Sequence, residues 1–282
     1  MKPKVFIIIF TMVSLVIHAN GKIDHRAFMY DHLGTENGLS SQRVYSIEED
    51  KYGGIWIAIK NGVARYNGRT LTNYTLGEAD KRSDTGGMVI KLTKDSEDNI
   101  LAYNNKGEIF KYSEYLDRFI PIALQFTKRI NEIKKHGSGL ILQNVVVDKE
   151  NNLWAATSKG IFFVSIDGKA IKRHFDKLNV NCSVIVGQHL IICTTSGVRL
   201  IDRKTGKYIR TLYNRNTESA FVDTQYHRLW LGTFNQGAVI IDMKTWKKIG
   251  TRLESILPHT PVSASEMLND TTILRGIDGN GV

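Results

Sequence analysis

The sequence predicts an all-β chain, a β-propeller of four-stranded antiparallel blades, on three observations. First, the phrase Asp50-Lys51-Tyr52-Gly53-Gly54-Ile55-Trp56 returns as Asp148-Lys149-Glu150-Asn151-Asn152-Leu153-Trp154, each followed by a Gly and an apolar run. Second, the same skeleton recurs around Leu101, Ile191, Trp230 and Leu274, so the anchors stand 45, 53, 37, 39 and 44 residues apart. Self-similarity at that period marks an architecture of stacked supersecondary units. Third, Val, Ile, Tyr, Phe and Thr dominate the runs, and helical periodicity is absent. A β-sandwich would have no reason to repeat its sequence.

The chain opens with Lys2 and Lys4 ahead of an uncharged stretch, Val5 to Ile17, and then His18-Ala19-Asn20. That layout predicts a signal peptide over residues 1–19, cut after Ala19, and an exported, periplasmic product. The apolar part is short of the roughly 20 residues needed to span a bilayer, and no later segment is apolar enough, so no span is expected in the mature chain. A retained anchor is the alternative. Residues 20–38 hold one strand-like stretch, Ala27 to His32, which reads as a lone outer strand. The propeller repeats occupy residues 39–282.

Each unit follows one grammar. An apolar or alternating run comes first, as in Val44–Ile47, Leu140–Val147 and Ser219–Val222. A polar turn leads to the anchor strand, and a Gly-containing turn leads to a third strand (GVARYN, GEIFKY, GIFFVS, GVRLID, GAVIID). A fourth strand follows at Thr70–Tyr74, Ile171–Phe175, Tyr208–Leu212 and Lys248–Leu253. The sixth unit stops at Gly281-Val282 as its third strand should begin. The expectation is therefore an incomplete propeller of about five and a half blades, with open edges that favour self-association.

Composition narrows function. With 42% hydrophobic and 23% charged residues among 282, the chain is globular. Its net charge of +10 includes two lysines of the signal segment. Export and scattered basic residues argue against nucleic acid and favour a polyanionic sugar, or merely a soluble surface. The eight histidines show no metal-ligand spacing and read as surface or turn residues. Glu48-Glu49-Asp50 reads as a solvated turn, because neighbours in a strand point to opposite faces and cannot form the facing carboxylates of glycoside chemistry. Asp95 to Asn99 lacks the Gly and distal Glu of a calcium loop. No phosphate loop, nucleophile elbow or CxxC pair is present, so no catalytic residue, metal or cofactor is assigned.

Two constellations remain. If Gly187-Gln188 is a two-residue hairpin turn, Val186 faces His189 and Cys182 faces Cys193, a candidate disulfide in an oxidising compartment. The turns between second and third strands should share one face with the links between blades. There Arg43, Lys60, Asn61, Lys106, Lys159 and Asn235 would offer donors to sugar hydroxyls, carboxylates or sulfates. Lysine at a hairpin tip also serves plain solubility.

Residues Leu33 to Thr75 resemble the opening of two-component regulator propeller proteins, the periplasmic sensor regions of Bacteroidetes hybrid two-component systems. The family phrase is matched at Gly38, Leu39, Ser40, Ser41, Val44, Asp50, Trp56, Asn61, Gly62, Tyr66 and Gly68, with weaker copies at Trp154 and Trp230. Departures are Ile59 where Thr is usual and loss of the Trp at Leu101, Ile191 and Leu274. The resemblance implies seven blades per propeller, of which this chain would be a truncated part. It also implies a homodimeric parent sensor that reads oligosaccharides and carries kinase and DNA-binding output not found here. A propeller enzyme, such as a polysaccharide or streptogramin-type lyase, is the competing expectation; it needs a base and an acid converging near the channel.

Overall fold

In the computed structural model, residues 33–60, 62–76, 90–135, 139–250, 262–269 and 272–277 are described, with Val262 the one side chain described in the last two strands. The expected signal segment, the strand expected at Ala27–His32, Asn61 and the tip Gly279–Gly281 lie outside them. The anchors do sit at the centre of a repeating unit. Blade one is β1 (Val44–Glu49), β2 (Ile55–Ile59), β3 (Gly62–Tyr66) and β4 (Leu71–Tyr74), paired in that order. Blade two is β5 (Ile90–Lys94), β6 (Ile100–Asn104), β7 (Ile109–Ser113) and β8 (Arg118–Ile122). Blade three is β9 (Leu142–Val147), β10 (Leu153–Thr157), β11 (Gly160–Val164) and β12 (Ile171–His174).

Blade four is β13 (Val180–Val186), β14 (His189–Thr194), β15 (Gly197–Asp202) and β16 (Tyr208–Tyr213). Blade five is β17 (Thr217–Asp223), β18 (Arg228–Thr233), β19 (Ala238–Asp242) and β20 (Lys247–Ile249), and β21 (Val262–Asn269) pairs with β22 (Thr272–Ile277). All pairings are antiparallel between sequence neighbours, which makes a propeller-like series of blades. Trp56, Leu101, Trp154, Ile191, Trp230 and Leu274 all fall on second strands.

The apolar cores lie between blades rather than within them. Trp56, Ala58 and Val63 of blade one pack on Ile90, Leu92 and Phe119 of blade two. Trp154 and Ile161 meet Val180, Leu190 and Ile192, and Ile191 and Cys193 meet Leu229 and Leu231. Blades two, three and four therefore bury both faces, which explains second strands that read as continuous apolar runs.

First strands pack against one another in the order β1, β5, β9, β13, β17, β21, and a polar side chain stitches each of these five joins. The Leu92 amide donates to Ser46 Oγ at 2.7 Å, and Lys91 Nζ to the Gln143 carbonyl at 3.0 Å. Ser183 donates through both its amide and its hydroxyl to Asn144 Oδ1, at 2.9 Å each. Asn181 Nδ2 donates to the Thr217 carbonyl at 2.9 Å, and Ser219 Oγ to that of Val262 at 2.8 Å.

One expectation is overturned. Helical periodicity is not absent: α1 (Leu124–Lys135) links blades two and three. Phe126 and Ile130, one turn apart, are fully buried, and Phe126 meets Phe162 edge-on at 5.6 Å. Its last turn carries Lys134 and Lys135, which suit the negative end of the helix dipole. This insertion accounts for the longest anchor spacing, from Leu101 to Trp154.

Candidate functional site

The turns joining second to third strands are built from the strand end outward. In blades three, four and five the second strand ends on a buried Thr. Thr157 Oγ1 donates to the Gly160 carbonyl at 2.8 Å and accepts from the Lys159 amide at 3.2 Å. Thr194 repeats this with Gly197 and Ser196, and Thr233 with Gly237 and Gln236. Blade two uses Asn104, whose Oδ1 accepts from the Lys106 and Glu108 amides at 3.1 Å each. In blade one the position is Ile59, which has no hydroxyl to offer.

Glycine is required where chains approach closely. A Cβ on Gly160 or Gly197, both at positive φ, would strike the carbonyl of His174 or Tyr213. A Cβ on Gly62 would likewise meet a carbonyl, that of Tyr74, at 2.8 Å.

These turns share a face with the blade links, as expected. The Ser158 amide donates to the Ile141 carbonyl, Gly160 to Leu178, Thr195 to Asn179 and Phe234 to Asn216. On this face Arg43, Lys60, Lys106 and Asn235 are exposed and Lys159 is half-buried. Among the described residues, the heads of Arg43, Lys60, Lys106 and Lys159 enter no hydrogen bond or ion pair. Their backbones are engaged: the Lys159 carbonyl accepts from Arg173 Nε at 2.9 Å and NH2 at 2.8 Å. Asn61 falls outside the described residues.

The helix adds cations to this face that the sequence reading missed. Lys134 Nζ donates to the Lys106 carbonyl at 2.9 Å, and Thr127 Oγ1 to that of Gly107 at 3.0 Å, so α1 lies over the blade-two turn. Burial and the nearby Lys106 charge pull the Lys134 ammonium below the usual lysine range. Asn105 Oδ1, in the same turn, is buried without a hydrogen-bond partner. Lys128, Asn131 and Lys135 line the open hollow beside it. The signal that could have found the helix was the stretched repeat spacing. A second concavity, of about 190 Å³ between blades two and three, is walled by Leu101, Ile122, Val147 and Leu153, with the Asp95–Lys111 ion pair on one side.

The acidic turns prove structural, and one of them corrects the sequence reading. Asp50 is not a solvated turn residue: its side chain is 7% exposed. Oδ1 accepts from the Tyr52 and Gly54 amides, and Oδ2 from Trp56 Nε1 at 2.7 Å and Arg65 NH2 at 2.9 Å. Burial pushes this carboxyl up, but the indole, the two amides and Arg65 outweigh it and hold it below the usual range. Asp95 is likewise consumed by its own turn amides and Lys111, so its loop has no free carboxylate there for a cation. His174 and His189 lie in strands and pack on Trp154 and Trp246 at 6.2 and 5.2 Å, rather than serving as surface or turn residues. Among the described residues no group of three His, Cys, Asp or Glu is placed to hold a metal. Cys182 and Cys193 pair directly across β13 and β14, in the register predicted, as free thiols.

Known proteins place the fold and one repeat. Residues 38–61 match the family described as two component regulator propeller. No curated protein matches the chain. Among solved structures, the chain is similar to the extracellular domain of BT3049 from B. thetaiotaomicron, assigned as a hybrid two component system, at 16% identity and TM-score 0.50. The match covers 89% of this chain and 41% of that one, so the chain spans less than half of its length. A chain of the Mitotic Checkpoint Complex is similar at 9% identity and TM-score 0.61, covering 89% and 78% of the two chains. The computationally designed Ika8 protein is similar at 9% identity and TM-score 0.58, covering 84% and 68%. Among the described residues no helix is long and apolar enough to cross a membrane. Residues 38–61, which hold the first two strands of blade one, thus match a two-component regulator propeller repeat within a chain folded as a series of propeller blades.

Proposed function

We propose that this chain is the ligand-recognition part of an exported two-component sensor, and that it takes acidic oligosaccharides on the face formed by the second-to-third strand turns. The match of residues 38–61 carries the sensor reading. The ligand class rests on chemistry. Among the described residues the side chains of Arg43, Lys60, Lys106 and Lys159 are unpaired cations on one face, Asn235 is exposed on it, and α1 brings Lys134 against the Lys106 carbonyl; Asn61 is included on sequence alone. Guanidinium and ammonium groups favour carboxylates and sulfates, while amides suit sugar hydroxyls.

Calorimetric titration of the purified chain with size-matched uronic or sulfated and neutral oligosaccharides tests this. The acidic series should bind more tightly and lose affinity steeply as salt rises. The joint variant Arg43→Ala, Lys60→Ala, Lys106→Ala, Lys159→Ala should weaken it by at least about tenfold, or 1.4 kcal/mol. Equal affinity of the variant for the best acidic ligand would exclude this face; binding of neither series would exclude the ligand class.

A further inference from the structure

We infer that Cys182 and Cys193 form a redox site, a thiol pair within blade four that closes to a disulfide and ties the strand on which blades three and five both depend. The inference is independent of the ligand reading above.

The hairpin β13–β14 fixes the geometry. Val186 pairs with His189 around Gly187 and Gln188, and the register carries through to Cys182 opposite Cys193. Directly opposed residues of an antiparallel pair stand about 4.5–5.5 Å apart at Cα, inside the range of about 4.4–6.8 Å that a disulfide spans. The neighbouring Cys182 thiol and burial both raise the pKa of the Cys193 thiol.

Access differs between them. Cys193 is fully buried in the blade four–blade five interface, whereas Cys182 is half-buried on the inner strand. Attack on an incoming disulfide requires access to the sulfur. Cys182 is therefore the attacking sulfur and Cys193 the resolving one.

The oxidant required is a low-molecular-weight disulfide. Cys182 loses its proton and attacks one sulfur of that disulfide; the S–S bond breaks and one thiolate leaves and is protonated. Cys193 then gives up its proton and displaces the second half from Cys182, forming Sγ–Sγ and a second free thiol. Two protein thiols are oxidised and one small disulfide is reduced to two thiols.

Position gives the bond its consequence. Asn181 on one side of Cys182 donates to the Thr217 carbonyl of blade five, and Ser183 on the other donates to Asn144 of blade three. A bulge falls between Val180 and Cys182. Oxidation would fix the inner strand to its neighbour at the point where both stitches leave it.

The test is to equilibrate the purified full chain, undenatured, with mixtures of glutathione and glutathione disulfide, alkylate, and map peptides by mass. The expected product is an intrachain Cys182–Cys193 linkage, two hydrogens lighter and reversed by dithiothreitol. Before oxidation, Cys182 should alkylate at least about tenfold faster than Cys193. The variant Cys193→Ser should stop at a glutathione adduct on Cys182, and Cys182→Ser should stay unmodified. Two alkylatable thiols in the folded wild-type chain after the most oxidising mixture, or linkage only between chains, would overturn the inference whether or not the variants fold.

Discussion

Blades one and three begin their second strands with nearly the same words, yet they allot the same bonds differently. In blade one, Asp50 serves its own blade: its Oδ2 holds the indole of Trp56 and the guanidinium of Arg65 on the adjoining strand. In blade three the residue across from the Trp is Phe163, which offers no cation. Asp148 reaches instead to Arg203 of blade four, at 2.8 Å, and Trp154 Nε1 is left buried with no hydrogen-bond partner. The joins to the next blade are mirrored in sign. Lys51 of blade one meets Glu114 at 3.0 Å, while Glu150 of blade three meets Arg203 at 2.6 Å. Glu114 and Arg203 each directly follow a third strand. A repeat therefore conserves the place of an interaction more strictly than its charge or its owner.

Three experiments would break or sharpen this contrast, the strongest first. Asp148→Ala strips the side-chain acceptor from the Glu150 and Asn152 amides and leaves Arg203, whose side chain is 18% exposed, without its buried partner. A loss of about 3 kcal/mol in chemical denaturation is expected. Coupling with Arg203→Met in a double-mutant cycle should exceed about 1 kcal/mol, whereas coupling of Arg203→Met with Asp50→Ala should vanish. Additivity of the first pair would show that the inter-blade bond carries no energy.

Trp→Phe at the two anchors comes next. Trp56→Phe removes a hydrogen bond to a buried carboxylate and should cost about 1.5–3 kcal/mol, on top of the lost ring area. Trp154→Phe removes an N–H that has no partner, so it should cost less than Trp56→Phe by a similar margin. Equal costs would mean that ring packing, not the N–H, decides both.

The smallest effect is on acid stability. The Asp50 and Asp95 carboxyls are held below their ordinary values in the folded chain, burial opposing and their donors prevailing. Their contribution is thus complete above about 3.9, the unfolded value, and is lost as pH falls through the lowered folded values. Asp50→Asn should flatten the acid limb of a stability–pH profile. An unchanged slope would place the acid lability elsewhere.

Much of this fold was legible because the repeat is written in backbone chemistry. Trp56, Trp154 and Trp230 mark second strands, which are buried along nearly their whole length. Gly160 and Gly197 mark the turns since nothing larger clears the neighbouring carbonyls. The helix was hidden because only Phe126 and Ile130 of it are fully buried, too short a stripe to show a period among polar residues. The burial of Asp50 was hidden for another reason: its partner Arg65 lies fifteen residues on, and only the pairing of Trp56 with Arg65 brings the guanidinium back. The candidate site was legible turn by turn, through Lys60, Lys106 and Lys159. The meeting of Lys106 with Lys134 depends on how α1 folds back, which no local pattern encodes.

The strand-end threonines have a consequence for how such a surface can change. Thr157, Thr194 and Thr233 shape their turns from within, through a buried hydroxyl and a backbone carbonyl. The residues at the apex then contribute almost nothing to the shape of the loop that displays them. Lys159 and Gln236, which meet the threonine hydroxyl only through their backbone amides, are accordingly replaceable letters on a fixed mount, whereas the Ser196 hydroxyl lies 3.2 Å from that of Thr194. A lineage of such chains can change the chemistry that this face displays by substitution at the apices, without renegotiating the fold. The same separation makes blades three to five natural hosts for a randomised-apex library, while blade one, with Ile59 in place of the hydroxyl, would tolerate the exercise least.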